Sequence, residues 1–111
     1  MRRPREGGIA KTYVTDYDTA FKKALNTCFY VGLNLDEKDQ DAKYIVCSSA
    51  MDLMSYGERV GIYFEDAGQN QVRIRIVTKT KVWGDFMDTW AGKIHKILQE
   101  TLTLAKDETP L

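Results

Sequence analysis

Two segments in the middle of the chain alternate between apolar and polar residues, and this period of two restricts the fold more than any other feature. In the segment 59–65 the apolar positions are Val60, Ile62 and Phe64, and the segment 72–82 repeats the pattern. Successive side chains of a β-strand point to opposite faces, so the pattern predicts two strands that each bury one face. The chain is therefore expected to contain an antiparallel sheet with one polar face.

The short segment 67–70 predicts that these two strands form a hairpin, and their apolar faces predict its register. Opposed residues share a face of the sheet, and the apolar positions of both segments have even residue numbers. The two residue numbers of each opposed pair must therefore sum to an even value. A sum of 138 places Glu65 opposite Arg73 and Tyr63 opposite Arg75. This register pairs an acid with a base on the polar face.

Helical periodicity appears on both sides of the strands. Thr15 or Asp16 can cap a first helix, and Gly32 is suited to end it. A second helix is predicted from Asp85 to Ala105, after which the chain becomes charged. The buried face predicted for the first helix consists of Ala20, Phe21, Ala24, Leu25, Cys28 and Phe29.

Three shorter segments complete the predicted order, β-α-β-β-β-β-α. Residues 9–14 alternate and predict a first strand, while residues 33–35 and 44–49 predict a hairpin. The acidic run 36–41 between them is read as a turn or a solvated strand end. A mainly antiparallel sheet with both helices packed on one face makes a two-layer α+β sandwich.

The length of 111 residues predicts one domain, since halves of this chain would be too small for separate cores. We place it at 9–105, between a flexible N-terminal tail at 1–8 and a frayed C-terminal tail at 106–111. Sixteen basic and sixteen acidic residues give zero net charge, which excludes a protein that coats polyanions through a global field. An apolar content of 43% excludes a disordered chain.

The sequence contains no targeting signal that we recognise, so the cellular compartment is assigned by default. No apolar run approaches the roughly 18–20 residues that span a bilayer, and the basic segment 1–8 lacks the apolar core of a signal peptide. We therefore expect a cytoplasmic protein, or a cell-envelope protein if the chain is part of a processed precursor. Cys28 and Cys47 are predicted to be buried thiols. A disulfide between helix and sheet is the alternative in an oxidising compartment.

A row of basic residues is the first candidate binding feature. No acidic residue interrupts it between residues 71 and 84, and Tyr63 is the neighbouring aromatic residue. Exposed sheets that bind RNA stack bases on aromatic residues and neutralise phosphates with such rows. The alternative is that these charges keep an exposed strand soluble, with Glu65 pairing with Arg73. The row consists of Arg73, Arg75, Lys79 and Lys81.

A cluster of methionine and aromatic residues is the second candidate. The loop 50–57 and the turn 82–86 are expected at the same end of the sandwich, where they either line an apolar pocket or fill that end of the core. The pocket would bind a partner protein or a small apolar ligand. Its residues are Met51, Met54, Tyr56, Trp83 and Phe86.

No catalytic residue, metal site or cofactor is predicted. His95 is the single histidine, and its position beside the apolar stripe predicts a partly exposed helix residue. One histidine and two separated cysteines do not make a zinc ligand set, and the acidic run 36–41 lacks the pattern of a calcium loop. Gly7 and Gly8 do not form a nucleotide-binding fingerprint. An enzyme that uses His95, Asp85 or Asp88 remains the least favoured alternative.

Three stretches carry a resemblance to known proteins: residues 13–21 at the first helix, residues 55–58 before a strand and residues 89–93 in the last helix. With their aromatic and glycine positions, the chain resembles a group of small uncharacterised bacterial α+β domains, often lipoproteins or envelope-associated proteins. The resemblance implies no established enzymatic activity and no catalytic residues. This chain departs from the lipoprotein form because it lacks a signal peptide and a lipid-accepting N-terminal cysteine.

Together these observations predict a non-enzymatic binding module. The favoured partner is a protein or a small apolar ligand at the loop 50–57 and the region 82–90. Weak anion or RNA binding through the basic row is the alternative, and a homodimer formed through a sheet edge or face is compatible with both.

Overall fold

The two alternating segments form the centre of a six-stranded antiparallel sheet. The computed structural model describes residues 8–49, 58–80 and 89–107. The strand order across the sheet is β2-β3-β4-β5-β1-β6. Along the chain the elements are β1 (Ile9–Val14), α1 (Tyr17–Tyr30), β2 (Asn34–Asp39), β3 (Tyr44–Ser48), β4 (Glu58–Gly68), β5 (Gln71–Thr80), α2 (Thr89–Thr101) and β6 (Thr103–Asp107).

The hairpin of β4 and β5 has the predicted register. Glu65 lies opposite Arg73 and Tyr63 lies opposite Arg75, so the pairs sum to 138. The register shifts between Asp66 and Gly68, where a bulge leads into the turn. The apolar faces of the two strands must coincide, and a shift of one residue would move the apolar side chains of one strand to the other face. Every second register is therefore excluded, and the short turn selects one of those that remain.

Both helices pack on the same face of this sheet, which we call the helix face. The helices contact each other, α1 lies on β4 and β2, and α2 lies on β5, β1 and β6. Alternate residues of the central strands are fully buried beneath them, as the period of two predicted. The two-layer α+β architecture is thereby confirmed. Buried sheet residues on this face include Tyr13, Ile45, Cys47, Val60, Ile62, Phe64, Val72, Ile74 and Ile76.

The first helix begins at its predicted cap. Asp16 is the N-cap, and its Oδ2 accepts a hydrogen bond from the backbone N–H of Thr19 at 3.0 Å. Gly32 follows the helix with a φ of 92°, in the left-handed region that glycine adopts without a steric penalty. The prediction that Phe29 is buried is wrong, because this side chain is 54% exposed. Phe29 lies about 100° around the helix from Cys28, which is enough to turn it away from the sheet.

The predicted hairpin after α1 consists of β2 and β3. Most of the acidic run belongs to β2, which is the edge strand among the strands that the structure describes and pairs there with β3. Charged residues on an edge strand oppose pairing with other chains. The run is therefore a solvated strand and a short turn, which ends at Lys43 with a φ of 67°.

The structure adds a strand that the sequence analysis did not predict. The expected second helix extended to Ala105, but α2 ends at Thr101 and the chain continues as β6 along the outer edge of β1. Lys106 and Asp107, expected in a frayed tail, are the last residues of this strand. Leu102 and Ala105 continue the helical spacing, which extended the predicted helix, whereas Leu104 packs against the core only in the extended chain, since residues two apart lie about 200° apart on a helix. Pairing with β6 satisfies backbone groups of β1 that a longer helix would leave unpaired.

Candidate functional site

The strands also present the face of the sheet that lies opposite the helices, and we call it the open face. In the described part of the chain, no helix lies on it. The register places four residues of β4 on this face, namely Arg59, Gly61, Tyr63 and Glu65. It places Arg73, Arg75, Val77 and Lys79 of β5 beside them.

The predicted ion pair on the open face is present. Arg73 Nη1 lies 3.3 Å from Glu65 Oε1, and both side chains are about one-third exposed or less. This contact matches the alternative reading in which Glu65 balances part of the basic row. The charge of Arg73 is thus locally compensated by Glu65.

Tyr63 lies along its own strand over Gly61. A Cβ atom built on Gly61 would come within 2.7 Å of Tyr63 Cε2 and of its hydroxyl oxygen, so a larger residue at this position would displace the ring. Partial burial raises the pKa of Tyr63 above its usual value of 10.0. An aromatic ring thus covers the middle of the open face.

The Tyr63 ring has a basic residue on one side and an aromatic residue on the other. Arg75 lies opposite Tyr63 on β5, and Tyr44 lies opposite it on β3. Arg59 is the other arginine of β4 on this face, and its side chain is exposed. The open face therefore combines an aromatic centre with guanidinium groups on β4 and β5. Sequence analysis identified Arg75 and Tyr63 but missed Arg59, although the alternation of β4 had already placed Arg59 on the polar face.

The opposite edge of the open face is acidic. The Tyr44 hydroxyl donates a hydrogen bond to Glu37 Oε2, and Ser48 Oγ donates to Asp36 Oδ1 at 3.1 Å. The bond to Glu37, with burial and nearby carboxylates, raises the pKa of Tyr44 to about 12. Charge thus changes from negative at β2 to positive at β5. An anionic ligand would bind over β4 and β5, away from β2.

The remaining predicted site residues lie mostly outside the described residues. Lys79 belongs to β5 and pairs with Arg59, while Lys81 lies beyond the end of that strand in the part not described. The apolar cluster stays a prediction, because all of its residues fall in the segments 50–57 and 81–88. These are Met51, Met54, Tyr56, Trp83 and Phe86.

The prediction that His95 is partly exposed is wrong. Its side chain is 1% exposed and packs between α2 and β1. Its Nε2 donates to the backbone carbonyl of Ile9 at 2.9 Å, and its Nδ1 lies 2.7 Å from the Tyr13 hydroxyl. Since a carbonyl only accepts, Nε2 carries the proton and Nδ1 accepts from Tyr13 in the neutral ring. The interaction orients α2 on the sheet. Ala91 and Leu98 are also buried, and they lie on the same stripe of α2 as His95.

A shallow groove of about 260 Å³ lies between the start of α1 and the end of the β4–β5 hairpin. Its walls include Asp16, Tyr17, Lys43, Glu65 and Asp66. The Asp16 carboxylate caps α1, and its hydrogen bonds to the backbone and side chain of Thr19 lower its pKa. Lys43 Nζ lies 5.3 Å from the centre of the Tyr17 ring. Asp16, Lys43 and Glu65 therefore already have structural partners within the fold.

Both cysteines are buried free thiols, as predicted. Within the described ranges, no group of three or more histidine, cysteine or acidic residues is arranged to hold a metal ion. The two helices in those ranges are too short and too polar to cross a membrane. No protein-family model and no curated protein matches this chain.

Proposed function

We propose that this protein is a non-enzymatic binding module and that the open face binds a single-stranded nucleic acid. The observation that supports the proposal most directly is the Tyr63 ring over Gly61, flanked by Arg75 and Arg59 on one continuous surface. The module needs no reactive group for this function. It needs a platform for a base and cations for the phosphates.

The chemistry of single-stranded nucleic acids fits this combination. Stacking of a base on an aromatic side chain contributes about 1–3 kcal/mol and tolerates any base. Arginine both neutralises phosphate and stacks on bases, so Arg75 beside Tyr63 can contribute in either way. Zero net charge is compatible with this function, because binding requires only the few cations that lie beside Tyr63 on the open face.

The dimensions of the sheet limit the size of the interaction. Neighbouring strands lie about 4.8 Å apart, and four residues along a strand span about 13 Å. Tyr63, Arg75 and Arg59 therefore fall within a patch that a few nucleotides cover. We expect weak binding with a strong dependence on salt, because phosphate contacts release counterions.

The test is fluorescence anisotropy with a labelled single-stranded uridine decamer, titrated from 50 to 200 mM salt. For a single strand, the slope of log K against log salt is about 0.7 for each phosphate contact. The double variant Arg59→Gln, Arg75→Gln should reduce this slope by about 1.4. The matched control Lys22→Gln, Lys96→Gln removes two exposed charges from the helix layer and should leave the slope unchanged.

A second variant separates stacking from charge. Tyr63→Leu keeps apolar cover over Gly61 but removes the ring, and should weaken binding of the decamer by about tenfold at unchanged salt slope. Heparin, which has sulfates but no bases, should bind equally well to this variant and to the parent protein. Binding that does not change with salt, or equal losses in the control variant, would refute the proposal. A Tyr63→Leu variant with full affinity would reduce the site to general anion binding and refute the nucleic-acid assignment.

A further inference from the structure

The single histidine of the chain is buried where α2 packs on β1. The side chain of His95 is 1% exposed, and its ring bonds to two residues of β1. Nε2 donates to the backbone carbonyl of Ile9 at 2.9 Å, and Nδ1 lies 2.7 Å from the Tyr13 hydroxyl. The ring therefore fastens α2 to β1 at two points and uses both of its nitrogens to do so.

These two bonds suit the neutral imidazole. Nδ1 is an acceptor in that form, and the Tyr13 hydroxyl supplies the hydrogen. The imidazolium carries a hydrogen on both nitrogens, so the Tyr13 O–H would have to turn away from Nδ1. The backbone carbonyl of His95 lies 3.5 Å from this hydroxyl, which is longer than the roughly 2.5–3.0 Å of a good O–H···O bond. Protonation of the ring would thus weaken the contact with Tyr13.

The strands beneath α2 contribute one pair of opposite charges. Lys11 lies between Ile9 and Tyr13 on the helix face and is half-buried. Asp107 of β6 lies opposite Lys11 in the register, so the formal charges at these paired positions cancel. None of the described β5 side chains on this face titrates. They are Val72, Ile74, Ile76 and Thr78.

The described turns of the two helices add no buried charge to this interface. The buried residues of α1 are uncharged, and the weakly acidic thiol of Cys28 is the titratable group among them. Lys93, Lys96 and Glu100 of α2 are exposed. A proton on His95 would therefore place a charge inside the core, and burial opposes the charged form of an ionisable group.

We infer that His95 makes the packing of α2 on β1 sensitive to acid, and that uptake of one proton by the buried ring loosens this packing. The inference is independent of the proposed function, because the open face lies on the other side of the sheet. It assigns to the one histidine of the chain the role of a pH-responsive contact.

The direction of the effect follows from proton binding in the two states. An exposed imidazole binds a proton near pH 6.5. The buried ring binds one only at lower pH, because protonation places a charge in the core and removes the acceptor of the Tyr13 O–H. A state that exposes His95 therefore binds more protons as the pH falls below about 7, and acid favours that state. The contact is complete above about pH 7 and is progressively lost below about pH 6.5.

An NMR titration of the whole chain between pH 8 and 4.5 tests this directly, because a single residue gives the histidine signal. We expect the ring of the folded protein to remain neutral at pH 6, with its hydrogen on Nε2. Its midpoint should lie at least about one pH unit below that of the ring in the urea-unfolded chain. Equal midpoints in the folded and the unfolded chain would overturn the inference.

Urea unfolding at pH 7 and pH 5 measures the effect on stability. If the folded ring stays neutral, the proton bound by the unfolded chain raises the equilibrium constant for unfolding about 20-fold between these pH values. His95→Gln keeps a donor and an acceptor but has no ring to protonate, so its increase should be about 20-fold smaller than that of the parent protein. The matched control Lys96→Gln removes the neighbouring exposed charge and should keep the increase of the parent protein.

The comparison of these proteins separates His95 from the other titrating groups. A parent protein whose stability depends on pH no more than that of His95→Gln would overturn the inference, since its acid sensitivity would then come from other residues. If His95→Gln does not fold, the NMR titration of the parent chain decides by itself.

Discussion

Removing one hydroxyl from the core tests whether the Tyr13–His95 contact stabilises the fold. Tyr13 is 0% exposed, and its hydroxyl lies 2.7 Å from His95 Nδ1, 82 residues away in sequence. Tyr13→Phe leaves the shape of the ring but deprives Nδ1 of its donor. An unsatisfied buried polar atom costs about 1–3 kcal/mol, so we expect the free energy of unfolding to fall by that amount.

Urea denaturation followed by circular dichroism measures this change. The exposed Tyr30, which is 79% exposed, supplies the matched control, because Tyr30→Phe deletes the same hydroxyl from the surface and should change stability by less than about 0.5 kcal/mol. A cycle with His95→Leu should show coupling of about 0.5–3 kcal/mol, since the double variant removes both members of the hydrogen bond. The hydrogen bond contributes nothing if Tyr13→Phe lowers the free energy of unfolding no more than Tyr30→Phe does. The same conclusion follows if the effects of Tyr13→Phe and His95→Leu on the free energy of unfolding are additive.

Three further predictions concern single residues. Hydrogen bonds from Thr19 lower the pKa of the Asp16 carboxyl in the folded state below 3.8. The stabilisation is therefore present above pH 3.8 and is lost as the pH falls through the folded pKa. Asp16→Ala should lower the melting temperature most at pH 7 and progressively less below pH 3.8, and a loss that is the same at every pH would contradict this. Burial and nearby carboxylates raise the pKa of Tyr17 to about 12, so the stability that Tyr17 contributes is complete below pH 10 and is lost between about pH 10 and 12. In an alkaline unfolding titration, Tyr17→Phe should therefore lose less stability over that range than the parent protein. An unchanged titration would exclude the assignment. Gly61→Ala should push the Tyr63 ring toward solvent and return the pKa of Tyr63 toward 10.0. An NMR titration of the tyrosine would detect this change. An unchanged Tyr63 pKa would show that the position of the ring does not depend on the glycine.

The central hairpin shows what local periodicity can determine. Strict alternation over 59–65 and 72–82, joined by a short turn, allowed few registers, and the structure has the predicted one. The same reasoning correctly placed the Asp16 or Thr15 cap and both buried cysteines, because these depend on a single helix or strand and on its apolar face.

The sixth strand and His95 show where periodicity is insufficient. The segment after Thr101 continues the helical spacing at Leu102 and Ala105, but the edge of β1 is available for pairing and selects a strand there. His95 was placed one position off the buried stripe, because its partners Tyr13 and the Ile9 carbonyl are supplied by a distant strand. Polar residues are buried only where partners exist, and a pattern along the chain does not show them.

The candidate binding surface divides in the same way. The sequence by itself determined that Arg73, Arg75 and Tyr63 share a polar sheet face, since alternation assigns faces without knowledge of the rest of the fold. The same alternation assigns Arg59 to this face, and the predicted register sets Glu65 opposite Arg73. Tertiary structure decided how closely these groups approach: the Glu65 and Arg73 side chains lie 3.3 Å apart, and the Tyr63 ring lies over Gly61. Periodicity acts between neighbours along the chain, whereas contacts between strands, and between helix and sheet, exist only once the sheet has assembled.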